Sequence, residues 1–101
     1  MYIVVDGDGV TVHEADNLKA LSVRTNQALT AGALGSLGEP SADGAHVWLN
    51  VDALRAAARA TLSSDQRETW VSGFDGMIAY ATSKGWTDTH GRVRAHVEPL
   101  S

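Results

Sequence analysis

The sequence predicts an α+β two-layer sandwich, in which about four strands form a mixed sheet and the helices cover one of its faces. Short segments carry apolar residues at every second position, and other stretches carry them at helical spacing. The predicted order along the chain is strand, strand, helix, strand, helix, helix, strand. This mixed order in 101 residues favours a single α+β domain, residues 1–101.

A hairpin is predicted at the start of the chain. Residues 2–5 and 10–13 are rich in β-branched side chains, and residues 6–9 between them read Asp-Gly-Asp-Gly. Glycine and aspartate suit the tight turns of hairpins, with either residues 7–8 or residues 8–9 at the centre. In both registers the apolar residues of the two strands share one face of the sheet.

Residues 6–11 also resemble the nucleophile motif of the haloacid-dehalogenase-type phosphatases. The resemblance implies that Asp6 attacks phosphorus and that Asp8 acts as the acid or base. In that family a helix follows the motif directly, whereas here a second strand follows within one turn. We therefore interpret these residues as a hairpin.

After the hairpin we expect a first helix, with Asp16 or Asn17 as its N-cap. Its apolar stripe follows at spacings of three and four residues: Leu18, Leu21, Thr25, Ala28 and Leu29. The glycines and the proline of residues 32–44 then predict a loop. A loop of this length is functional, mobile or partly packed through its leucines.

A third strand is predicted at residues 45–51, followed by a short helix at about residues 52–62 with Asn50 or Asp52 as its cap. Ser63 and Gln66 form a capping-box pattern that begins a longer helix, and Gly85 is placed to end it. The last strand is predicted at residues 92–98. The core stripe of the long helix is Trp70, Val71, Phe74, Met77, Ile78 and Ala81.

Strand parity places ten side chains on the sheet face that the helices leave uncovered. This polar–aromatic face consists of Tyr2, Val4, Thr11, His13, His46, Trp48, Asn50, Arg94, His96 and Glu98. Tryptophan and tyrosine are enriched where one protein surface meets another. The residues predicted to form such an interface are Tyr2, Val4, Trp48, Asn50, Arg94 and His96.

The histidines of this face are the candidate catalytic residues, namely His46, His96 and His13. Neutral imidazole is also the commonest ligand of transition metals. No two of these histidines have i,i+4 or His-x-His spacing, however, so a metal site would depend entirely on the strand order. A general base requires only one positioned imidazole, and ordinary exposed histidines are the alternative to both. We expect no cofactor.

Composition narrows the function classes. The chain has no cysteine, which excludes disulfides and thiolate sites. Its net charge of −4 argues against binding to nucleic acid or to an anionic membrane surface. The sequence shows no signal peptide and no apolar stretch that would span a membrane, so we expect a cytoplasmic protein. The alanine-rich, lysine-poor composition is typical of a bacterial source with a GC-rich genome.

Two functions of different class follow from these residues. The leading hypothesis is a small interaction module, most simply a homodimer through the polar–aromatic face, and the acidic charge also permits a basic protein partner. The alternative is a small-molecule-binding protein or small enzyme, with a histidine base in a pocket between that face and the 32–44 loop. One concavity holding Arg94, His96 and His46 would favour the pocket, and a flat surface would favour the interface. A third possibility is that a helix or the loop simply covers the face.

Overall fold

The computed structural model describes residues 1–6, 9–26, 28–30 and 32–100. This part of the chain contains six strands and two α-helices. The helices are α1 (Val51–Arg59) and α2 (Ser64–Ser83). A short 3-10 helix, Gly35–Leu37, precedes the fourth strand. The strands are β1 (Tyr2–Asp6), β2 (Gly9–His13), β3 (Ser22–Arg24), β4 (Gly38–Pro40), β5 (His46–Leu49) and β6 (Val93–Glu98).

All six strands form one mixed sheet in the order β2-β1-β3-β6-β5-β4. The pairs β1–β2, β4–β5 and β5–β6 are antiparallel, and the pairs β1–β3 and β3–β6 are parallel. The predicted α+β class and the mixed sheet are confirmed. The predicted sheet of about four strands is too small, because two short strands were not recognised in the sequence.

The hairpin of β1 and β2 is confirmed. Ile3 lies opposite Val12 and Val5 lies opposite Val10, so the apolar residues share a face as expected. Asp6 pairs with Gly9, and the predicted turn residues 7 and 8 lie outside the described residues. Strand β2 therefore begins within residues 6–11 and continues to His13, whereas in the phosphatase family a helix follows the motif.

The helix predicted after the hairpin is wrong, because residues 22–24 form strand β3 between β1 and β6. Val23 is fully buried between Ile3 of β1 and Val97 of β6. Ahead of it the chain turns, and the terminal ammonium of Met1 donates hydrogen bonds to the carbonyls of Asn17 and Ala20 at 2.6 and 3.0 Å. These long-range contacts outweigh the local helical spacing of the leucines.

The predicted 32–44 loop is also wrong for residues 35–40, which form the 3-10 helix and the edge strand β4. Gly38 lies opposite Leu49 and Pro40 lies opposite Val47, so β4 extends the sheet beyond β5. Proline is tolerated here because an edge strand leaves one row of backbone groups unpaired. Mobility of the remaining loop residues stays a prediction.

Both helices that follow β5 are confirmed, with shifted ends. Helix α1 is capped by Asn50, whose side chain accepts a hydrogen bond from the Ala53 amide at 2.9 Å. Helix α2 begins with the predicted capping box of Ser63 and Gln66. It ends at Ser83 with Lys84 as the C-cap, and the next residue, Gly85, has a φ of +76°, the left-handed conformation that favours glycine at this position.

The core lies between the valine-rich face of the sheet and the two helices. Phe74 and Leu54 are fully buried, and Phe74 stacks on Trp70 with ring centroids 4.9 Å apart. The indole nitrogen of Trp70 donates a hydrogen bond to the Ala15 carbonyl, which ties α2 to the segment after β2. In the described part of the chain, no helix is both long and apolar enough to cross a bilayer.

Candidate functional site

One row of side chains crosses five strands of the polar–aromatic face. Tyr2 lies between His13 and Ser22 in the register, and His96 lies between Ser22 and His46. His46 and His96 are neighbours, with ring centroids 4.9 Å apart. Three strand spacings of 4.7–4.9 Å separate β2 from β6, so His13 lies about 14 Å from His96. The structure therefore brings two of the three candidate histidines together.

A three-histidine metal site is not formed by this arrangement. Across the described residues, no group of three His, Cys, Asp or Glu side chains is placed to hold a metal ion. The His13 ring instead stacks on the Tyr2 ring, with ring centroids 5.1 Å apart, and His13 Nε2 lies 2.9 Å from the Thr11 hydroxyl oxygen.

The expected aromatic patch is partly covered by its own neighbours. The guanidinium of Arg24 lies 3.8 Å from the centre of the Tyr2 ring. Because β2 and β3 flank β1 on opposite sides, this ring lies between His13 and Arg24. Tyr2 and Val4 are both half-buried. Little of the Tyr2 ring is therefore left to contact a partner.

Two other predicted interface residues have different surroundings. Trp48 is half-buried and lies between Arg94 of β6 and Glu39 of β4 in the register. Asn50 follows the end of β5, and its side chain is the N-cap of α1. Asn50 therefore lies just outside β5 and caps the helix, as one of the two expected caps, and its part in an interface stays a prediction.

A groove opens where β3 begins. Ser22, the first residue of β3, lies opposite His96, so the first residues of β6 extend beyond the start of β3. Further along the same edge of β6, the Arg94 amide donates a hydrogen bond to the Trp86 carbonyl at 2.8 Å. Beside these two pairings, the 18–21 segment, α2 and Trp86 line a cavity of about 810 Å³.

The walls of the groove differ in chemistry. Strands β3, β5 and β6 supply a polar wall, and the last turns of α2 with Trp86 supply an apolar one. The buried residues of the lining are Ser22, Ala81 and Val93. The side chains on the polar wall are His46, His96, Arg94, Arg24 and Glu98.

Positive charge predominates in the groove. Lys19, Arg24 and Arg94 line it, against one carboxylate, that of Glu98. Arg24 Nε lies 3.8 Å from Glu98 Oε2, so the charges of these two side chains offset each other. Lys19 and Arg94 form no ion pair with any residue that the structure describes. The groove is thus locally basic on a chain whose net charge is −4.

His46 is oriented from outside the groove by Asp43, a residue of the 32–44 segment. One Asp43 carboxylate oxygen lies 3.3 Å from His46 Nδ1. Asp43 also accepts hydrogen bonds from the Ser41 hydroxyl and the Ala45 amide, which lower its pKa to about 2. An anionic Asp43 favours the proton on Nδ1, and this tautomer leaves His46 Nε2 as an acceptor.

Sequence reasoning missed the apolar wall and Lys19. The sequence analysis assigned neither Lys19 nor Trp86 to a site. One signal was present in the sequence. Tyr80 does not belong to the core stripe of α2, so it was an aromatic residue that the predicted core left unexplained.

Comparison of the chain with protein-family models, with curated proteins and with solved structures finds no match in any of the three.

Proposed function

We propose that this protein binds a small organic anion in the groove between β3, β6 and α2. The observation that carries the proposal is the convergence of Lys19, Arg24 and Arg94 on one concavity of an acidic chain. Arg94, His96 and His46 also line this same concavity. A shared concavity is the feature that favours a pocket over a flat interface.

The charges have a physical consequence for the ligand. A cleft lined by one sign of charge concentrates the field between its low-dielectric walls and attracts the opposite ion. Arginine presents its N–H groups in a planar fork that matches a carboxylate or phosphate. Arg94, which has no ion-pair partner among the described residues, is therefore the side chain best suited to hold the acid group of a ligand.

The size of the groove is that of a small-molecule site. Ligand pockets typically span about 300–1,000 Å³, and the groove encloses about 810 Å³. The 32–44 segment supplies none of its lining residues. The proposed pocket thus lies on the opposite side of His46 from the one that the sequence suggested.

A homodimer through the polar–aromatic face stays a prediction. The exposed apolar area that this face offers to a dimer is smaller than the sequence implied, because Tyr2 already packs against His13 and Arg24. Burial in a dimer stabilises only the apolar area that was exposed beforehand. We therefore rank the anion-binding groove above the interface.

The contact between Asp43 and His46 favours a second candidate function, that of a small enzyme with His46 as the general base. A carboxylate that fixes the tautomer of a histidine is a common way to prepare a base. Its test is the rate of hydrolysis of p-nitrophenyl acetate by the wild-type protein and by His46→Ala. The matched control is His90→Ala, which removes an exposed histidine outside the groove. Equal rates in both variants would contradict the catalytic role.

The anion-binding proposal is tested by following backbone amide NMR shifts while benzoate is added. We expect saturable shifts at residues 18–22 and 93–98, with a Kd in the range of about 0.1–10 mM that is typical of small fragments. Arg94→Ala should weaken binding about tenfold, since it removes a charge-assisted hydrogen bond. Arg59→Ala, which removes an exposed charge outside the groove, is the control. Equal affinity in the two variants, or no saturable shift, would contradict the proposal.

A further inference from the structure

We infer that the ligand of the groove is an aromatic carboxylate, with its acid group at Arg94 and its ring against Tyr80 and Trp86. The inference rests on the proposed anion-binding function and narrows it to one class of ligand. The contacts that argue for a planar apolar body all lie on the α2 side of the groove.

The two most exposed large hydrophobic side chains of the described residues lie at this groove. Tyr80 is 57% exposed, Trp86 is 39% exposed and Leu100 is 36% exposed. The first two line the groove and meet edge to face, with ring centroids 5.9 Å apart. Exposed aromatic area that gathers in a concavity is typical of a ligand site, since burying it on binding is favourable.

The position of Trp86 is fixed by its backbone on both sides. Its amide donates a hydrogen bond to the Ala81 carbonyl at 2.9 Å, as part of the helix end at Gly85. Its carbonyl accepts the hydrogen bond from the Arg94 amide on β6. The backbone that carries the indole is therefore held by a helix and a strand, so little backbone entropy is lost when a ligand binds.

The rest of the apolar wall suits a flat ring. Met77 lines the groove beside Tyr80, and its thioether makes favourable contacts with aromatic edges. Gly76 lies on the same helix face, and a Cβ built there would meet no atom within 4 Å. The absence of a side chain at this position widens the groove next to the aromatic pair.

Arg94 and Trp86 come from neighbouring backbone segments. The Arg94 amide donates a hydrogen bond to the Trp86 carbonyl at 2.8 Å, and both side chains line the groove. A ligand that carries both an acid group and a ring therefore has a cation and an aromatic side chain available in one concavity.

The test compares four compounds that separate the ring from the charge: 2-naphthoate, cyclohexanecarboxylate, acetate and the uncharged 2-naphthalenemethanol. Binding to the full chain is followed by amide NMR shifts, which report both the affinity and the location. We expect 2-naphthoate to bind about tenfold more tightly than cyclohexanecarboxylate, and acetate to bind most weakly. The uncharged alcohol should also bind about tenfold more weakly than 2-naphthoate.

Variants of the aromatic pair test the position of the ring. Trp86→Leu should weaken 2-naphthoate about tenfold and change the affinity for cyclohexanecarboxylate much less, because leucine keeps an apolar side chain there. Gly76→Leu should block 2-naphthoate and leave acetate unaffected. Trp48→Leu, which alters a tryptophan outside the groove lining, is the matched control. Circular dichroism and thermal unfolding verify that each variant is folded.

The outcomes separate the inference from the proposed function. Equal affinity for 2-naphthoate and cyclohexanecarboxylate, with both weakened by Arg94→Ala, would overturn the inference and leave the anion-binding function standing. Equal affinity for 2-naphthoate and its uncharged alcohol, with no effect of Arg94→Ala, would overturn both. Shifts that map away from residues 18–22, 76–86 and 93–98 would also overturn both.

Discussion

His46 and His96 lie opposite each other on β5 and β6, with their ring centroids 4.9 Å apart. Their pairing places two imidazoles on the wall of a groove that also holds Arg94. Asp43 contacts His46 from the far side, so the 32–44 segment influences the groove without lining it.

Asp43 should make stability depend on pH in the acid range. The Ser41 hydroxyl, followed by the Ala45 amide, lowers the pKa of Asp43 from 3.8 to about 2. Because the folded pKa lies below the unfolded one, this contribution is fully present above 3.8 and is lost as the pH falls through about 2. Carboxyl carbon NMR shifts should show the low midpoint directly. In Ser41→Ala the midpoint should move back toward 3.8, and an unchanged midpoint would show that Ser41 is not the main cause.

Gly38→Ala should destabilise the domain. A Cβ at Gly38 would collide with the Trp48 carbonyl oxygen and lie 3.1 Å from the Leu49 Cα, and backbone atoms in a paired strand have little freedom to move. We expect a loss of about 1–3 kcal/mol in the free energy of unfolding, measured with urea. Gly76→Ala is the control and should stabilise α2 by about 0.5–1 kcal/mol, since alanine favours a helix more than glycine does. If Gly38→Ala unfolds like the wild type, the β4–β5 pairing is incorrect.

Phe74→Ala should cost about 3–5 kcal/mol in unfolding free energy, because it removes a fully buried ring from the core. Much of this loss comes from the stacking on Trp70 and from the cavity left behind. The control is Tyr80→Ala, at a position that is 57% exposed on the same helix, and it should cost less than about 1 kcal/mol. Similar losses in the two variants would show that α2 is rotated relative to the sheet.

The homodimer prediction is tested by sedimentation velocity. If two copies associate through the polar–aromatic face, Trp48→Glu should convert the dimer to a folded monomer, because it places a charge in the interface. Ala79→Glu adds the same charge at an exposed position of α2 and should leave the dimer intact. A wild-type chain that remains monomeric at high concentration would exclude this dimer, whatever the variants do.

The two faces of the long strands could be predicted because each strand repeats its alternation several times. Ile3, Val5, Val47 and Ala95 are all buried, as parity required. The capping box at Ser63 was equally predictable, since it depends only on residues within one helical turn. Both features are local, so the sequence contains what is needed to place them.

The two short strands could not be predicted in this way. A strand of three residues such as β3 shows only one alternation of side chains. The spacing of Leu18, Leu21 and Thr25 around it fits a helix just as well. Val23 becomes a strand residue because Ile3 and Val97 lie on either side of it. That decision depends on hydrogen bonds to β1 and β6, which are distant in the sequence.

By itself, the sequence determined the α+β class, the apolar and polar faces of the long strands, and the ends and core stripe of α2. The tertiary structure alone decided the strand order, and with it the separation of His13 from the pair of His46 and His96. It also decided where the groove lies. The groove forms where β3 begins later than β6 and where Trp86 pairs with Arg94 of β6 beyond that point. Local patterns fix the direction of a side chain, whereas its neighbours depend on which strands pair.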